Sequence, residues 1–177
     1  MKHLCFIFVF CLVVGRAEAA IAPWTFERDQ ELGFKYSYPQ HLFYEIEGDG
    51  KPAFHYFASP LTPDAKFLVG AWNNRKGQTP PELKHWLMSN LGGYDDITYE
   101  PHGRSWFVMS GYRGSMIYYE KVMFSCRGTV VNILAVMYPT AQRNFFDPAV
   151  EPYGRQFQTG RDMQLKPARV VMQADRR

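Results

Sequence analysis

Large apolar and polar residues alternate along this chain in short runs that stop at glycine or proline. Phe34 to Tyr38 (FKYSY) alternates and meets Pro39, which predicts a strand followed by a breaker. Phe43 to Glu47, Ala53 to Ala58 and Lys66 to Trp72 predict three more strands, separated by Gly48-Asp49-Gly50 and by a proline-rich turn at 60–64. Trp106 to Tyr112, Met116 to Cys126 and Thr129 to Tyr138 predict a further three. The turns between these last three, Gly111 to Gly114 and Arg127-Gly128, are too short for a parallel crossover, so they form an antiparallel meander. In the middle strand Met116, Tyr118, Val122, Phe124 and Cys126 share one face, and Ile117, Tyr119 and Met123 share the other. The whole stretch from Ser105 to Cys126 carries only three formal charges, Arg113, Glu120 and Lys121.

The period changes twice. Thr79, Pro80 and Glu82 form a capping box with proline where its missing N–H costs nothing. Leu83, Trp86, Leu87 and Leu91 follow as one apolar stripe, closed by Gly92-Gly93. After Pro139, Asp147-Pro148 reads as a second helix start, with Val150, Tyr153 and Phe157 as its stripe. Pro152 and Gly154 predict that this helix is short or kinked. Both faces of the meander strands are apolar, so both are covered, and the two helices are the available cover. The expected fold is α+β: an antiparallel sheet of about six to seven strands covered by helices.

Composition bounds the rest. The chain is 46% hydrophobic and 16% aromatic over 177 residues, which suits one globular domain. Residues 1–19 show a basic start, an eleven-residue apolar run from Leu4 to Val14 and Ala17-Glu18-Ala19, the layout of a cleaved signal peptide; the run is too short for a membrane span. Lipidation at Cys11 is rejected because Phe10 precedes it. The expected protein is thus periplasmic or secreted, with one domain over 20–158 and a basic tail over 159–177. After cleavage it keeps 18 basic and 16 acidic residues, a formal charge of +2 without a basic run in the domain, so nucleic acid is not an expected partner. Cys126 is then the lone thiol, and no internal disulfide is expected.

The order of strands, helix, meander and helix resembles the PsbP-like fold. The residues that carry the likeness are GFKYSYPQHLF (33–43), the aromatic strand before GYRG (111–114), YYEKVMFSC (118–126) and VVNILAVMYPTAQRNFFDPAV (130–150), leading into a last helix that ends near Phe157. It covers about residues 24–158. That group includes accessory subunits of photosystem II, relatives that bind Ran-type GTPases, and many exported bacterial proteins. The resemblance implies a mostly non-enzymatic, accessory role; its motifs bear the fold and bring no catalytic residues with them.

The polar residues assemble no familiar chemistry. His41, His55, His85 and His102 are isolated, without metal-ligand spacing, and no metal or other cofactor is expected. Ser115 lacks a nucleophile elbow, Asp95-Asp96 reads as a solvated turn, and the glycine pairs lack the lysine of a phosphate loop. Cys126 reads as buried and inert, with Arg127 on the opposite face. Two binding hypotheses remain. Tyr112 and Arg113, at a hairpin tip with little core to join, are candidate anchors for an envelope protein partner. Trp86 and Trp106 are candidates for a pocket taking a small apolar or aromatic ligand. A hydrolase with an atypical site around His55 or His102 is a third. The expected state is a monomer with no catalytic residues.

Overall fold

A computed structural model of the protein describes residues 23–48, 50–51, 53–90 and 94–160. The signal-peptide reading, the tail beyond 160, Leu91 and Gly92-Gly93 lie outside them. Twelve elements follow in order: β1 (Trp24–Arg28), β2 (Lys35–Pro39), β3 (Tyr44–Ile46), β4 (Phe54–Ala58), β5 (Lys66–Asn73), α1 (Pro80–Asn90), β6 (Asp96–Tyr99), β7 (His102–Gly103), β8 (Trp106–Arg113), β9 (Met116–Ser125), β10 (Val130–Pro139) and α2 (Arg143–Gln156).

β8, β9 and β10 pair consecutively and antiparallel, as their turn lengths demand. β5 adds to the far side of β10, with Val69 opposite Leu134, and carries β4 and β3 beyond it. The eight-stranded sheet therefore runs β3-β4-β5-β10-β9-β8-β6, with β7 also on β8. β1 and β2 form a separate hairpin. β1, β6 and β7 go beyond the sequence reading. β6 (DITY) is mostly exposed and has no clean alternation; its main-chain bonds to β8 hold it, and any sequence can make those.

Each face of the sheet has its own core. On one, α1 sets Leu83 and Leu87 against Phe107, Met109, Val122, Phe124, Val131 and Ile133. On the other, α2 and the β1–β2 hairpin set Phe146, Ala149, Tyr153, Phe157, Phe34 and Tyr36 against Phe57, Phe67, Val69 and Leu134. Tyr153 stacks 5.2 Å from Phe67 and lies 5.3 Å from Trp24. Asp29 ties the hairpin down: one carboxylate oxygen accepts the Glu31 and Leu32 amides, and the other lies 3.2 Å from His55 Nε2.

Three expectations need correction. α2 begins at Arg143, runs for fourteen residues and contains Pro148 and Pro152, so it is not short and Asp147 is not its cap. An interior proline costs about 3 kcal/mol; burial of Phe146 and Tyr153, at about 1.5–3 kcal/mol per large apolar side chain, offsets it. The α1 capping box is half made. The Thr79 amide donates to Glu82 Oε2 at 2.7 Å, but the Thr79 hydroxyl donates to the same oxygen at 2.8 Å instead of accepting a helix amide. Cys126, finally, is neither fully buried nor on the Phe124 face. Cys126, Arg127 and Gly128 have φ of 51°, 57° and 87°, a left-handed turn that breaks the strand alternation and leaves the thiol partly buried against the α2-side core.

Candidate functional site

α2 does not cover its whole face. It lies over β2 and the β5–β10 half of the sheet and leaves the β8–β9 half open. The result is an open-sided groove of about 860 Å³ between that half of the sheet, α2 and the β6–β7 segment. Its floor is a ladder of cross-strand pairs facing α2: Trp106 with Met123, Val108 with Lys121, Ser110 with Tyr119, and Tyr112 with Ile117. Tyr99 and Pro101 form one wall; Arg143, Asp147, Glu151 and Arg155 of α2 form the other.

Gly111 makes the β6 wall possible. A Cβ at this position would collide with the Asp96 carbonyl oxygen, so only glycine lets β6 approach β8 this closely. At Gly154 a Cβ would crowd the Tyr119 hydroxyl, the far end of a side chain that would have to shift. Asp95 pins the hairpin tip above the groove, accepting the Gly114 amide at 2.6 Å while its own amide donates to the Tyr112 carbonyl at 2.8 Å. Asp95 is exposed, as the turn reading expects, and holds the hairpin tip as well.

The charged groups of the groove are mostly satisfied within it. Asp147 accepts the Tyr138 hydroxyl at 2.8 Å and Arg143 Nε at 3.1 Å; Arg155 pairs with Glu151 at 3.1 Å. Lys121 differs. Its ammonium donates to the Gly154 carbonyl oxygen near the C-terminus of α2 and pairs with no carboxylate among the described residues. Burial alone pulls this ammonium below the usual lysine range. Burial also pushes the neighbouring Tyr119 hydroxyl up to about 12.

The candidate residues divide between the two faces. Tyr112 and Trp106 line the groove, and Trp106 keeps 37% of its surface exposed. Arg113 turns to the α1 face, where its guanidinium lies 4.3 Å from the Tyr118 ring centroid and 5.5 Å from that of Tyr94. Beneath it is the buried Glu120, whose carboxyl is pushed up by burial and pulled back by the Tyr94 hydroxyl and Arg113. Glu120 Oε2 and the Tyr94 hydroxyl nevertheless make no hydrogen bond of ordinary geometry among the described residues. Trp86, 43% exposed, sits on α1. Trp86 and Trp106 therefore flank opposite sides of the sheet, and the groove that Trp106 lines does not include Trp86. His55 bridges Asp29 and Glu45, with no serine bonded to it; His102 lies exposed at the β7 edge. Among the described residues no His/Cys/Asp/Glu group is arranged to hold a metal, and no helix is long and apolar enough to cross a membrane.

The sequence reading passed over Lys121 and Arg143. A signal for the first was available: Glu120-Lys121 is the only adjacent charge pair inside an otherwise apolar strand, so one of the two must face each layer. Arg143 had none, because its position depends on where α2 begins.

Comparison with solved structures defines the class: the fold is PsbP-like. The solution structure of cyanobacterial PsbP (CyanoP) from Synechocystis sp. PCC 6803 matches with a TM-score of 0.57 at 11% identity, over 80% of this chain and 95% of that one. A protein from Bacteroides thetaiotaomicron VPI-5482 matches over 73% of this chain but only 46% of its own, at 15% identity and a TM-score of 0.43, too low to argue from. No family model and no curated protein matches the sequence.

Proposed function

We propose that this is an exported, non-enzymatic binding protein that engages another component of the cell envelope through the groove on its α2 face. The observation that carries the reading is the groove itself. It is built from conformationally costly features, a glycine that admits β6 and a helix that tolerates two interior prolines, yet most of its ionisable groups are tied to one another, with no hydrogen-bonded nucleophile and base in it among the described residues. Such a surface binds better than it catalyses. Trp106 on the floor and Tyr99 on the wall both keep exposed surface and are residue types that anchor protein interfaces. The leader-like N-terminus supports export, and the PsbP-like fold agrees with an accessory role.

The volume also falls in the range of small-ligand sites, which keeps a small apolar or aromatic ligand as a second reading. The open side favours the first, because a small ligand there would stay partly in water. A photo-crosslinking residue placed at Tyr99 in intact cells should capture a partner that the same residue at Trp86, on the opposite layer, does not. Identical capture from both positions would remove the groove as the binding face.

A further inference from the structure

The floor of the groove sorts its pairs by chemistry. At one end Trp106 and Met123 make an apolar step; the next pair along the strands brings Lys121. Same-face neighbours on a strand are two residues apart, about 7 Å. An extended chain laid along β8 and β9 has the same spacing between its own alternate side chains.

Among the described residues Lys121 is the lining cation that pairs with no carboxylate. Arg143 and Arg155 are matched by Asp147 and Glu151, whereas the Lys121 ammonium meets only the Gly154 carbonyl. The carbonyl end of a helix is only partially negative, so the Lys121 ammonium meets a partial charge and not a full counter-charge, in a place where water is already partly excluded.

Resting on the reading of the groove as the binding face, we propose that it receives an extended segment of the partner protein with an apolar side chain and a carboxylate two residues apart. The apolar group lies on Trp106 and Met123 and the carboxylate meets Lys121. Ser110 and Tyr119 supply hydroxyls at the next step for the segment's main chain.

The full domain tests this with defined peptides. The probes are acetyl-Ser-Phe-Thr-Glu-Ser-amide and its reverse, acetyl-Ser-Glu-Thr-Phe-Ser-amide, each with a Glu→Gln partner, followed by Trp106 fluorescence and Met123 methyl shifts. At least one glutamate peptide should bind about tenfold more tightly than its glutamine form, the worth of one charge-assisted hydrogen bond. That ratio should fall to near one on Lys121→Gln, survive Lys121→Arg, and persist on Trp106→Ala while both peptides weaken. Comparing two peptides on one variant cancels any loss of stability. A ratio of one on the wild type, or one that persists on Lys121→Gln, overturns the proposal, as does absence of binding at millimolar peptide. If the Tyr99 position still captures a partner in cells in that case, the groove remains the binding face and only the carboxylate rule falls. If it captures nothing, the reading beneath falls as well.

Discussion

Glu120 and Lys121 are neighbours on β9 and belong to different worlds. Glu120 faces the α1 layer, where Arg113, Tyr94 and Tyr118 close over it. Lys121 faces the α2 layer at the edge of the helix, where only a backbone carbonyl meets it and the groove opens beyond. The two uncovered quarters of the sheet differ in the same way. On the α1 side, the part past the helix is plated by its own aromatics, with Phe54 6.2 Å from Trp72 and 6.4 Å from Tyr56. On the α2 side, the corresponding part is left as a concavity. The α1-side quarter is filled by its own side chains, whereas the α2-side quarter stays open with the Lys121 ammonium at its floor.

The largest expected effect tests whether α2 is anchored by its core rather than by helix propensity. Phe146→Ala should cost about 3–5 kcal/mol in denaturant unfolding, and Leu83→Ala on α1 about 2–5 kcal/mol. If Phe146→Ala proves mild, the prolines of α2 are not being offset by burial. Tyr153→Phe sharpens the same point. Its hydroxyl is buried without a partner among the described residues, and burial drives its pKa far above the ordinary tyrosine value. Removing that hydroxyl should leave stability unchanged or raise it.

Gly111→Ala attacks the groove side alone. The added methyl must displace β6, at about 1–3 kcal/mol, and hydrogen exchange should show Asp96 to Tyr99 losing protection while β10 keeps it. Loss of protection across the whole sheet would mean that β6 is not a separable wall.

Glu120→Gln is expected to be smaller and of opposite sign at neutral pH. Because burial raises the carboxyl's pKa in the folded state, the stability linked to it is complete below the ordinary carboxylate range and is lost as pH rises through the raised value. The glutamine variant should therefore gain about 1 kcal/mol at neutral pH and nothing in acid. Lys121→Met should be smallest. Its ammonium is depressed by burial, so the linked stability is complete above the ordinary lysine range and is lost as pH falls through the lowered value. The variant loses the Gly154 bond and gains an uncharged floor, and thermal unfolding at neutral pH should move little. A large fall in stability would make Lys121 a helix cap first and a binding residue second.

Much of this architecture is legible in the chain. The meander, the start of α1 and the need to cover both faces follow from alternation, a capping sequence and turn length, all of which act within a few residues. The site was less legible. Tyr112 and Arg113 were singled out together as a hairpin tip, but the strand register sends one to the groove and the other under the α1-side aromatics. Trp86 and Trp106 were paired on aromatic character and lie on opposite layers. Arg143 was hidden because Asp147-Pro148 reads as a helix start, which places Arg143 before the helix; α2 in fact begins at Arg143 and carries Pro148 inside it.

The sequence by itself determined seven of the extended segments, that the last three strands are consecutive neighbours, and that no single layer could shield them. The tertiary structure alone decided that β5 docks on β10, that the β1–β2 hairpin shares a face with α2, and which quarter of the sheet stays open. The physical reason is range. Alternation and turn chemistry are written in side chains close along the chain, whereas strand addition uses main-chain groups that every residue carries, and the reach of a helix across a sheet is set by packing between residues far apart in sequence.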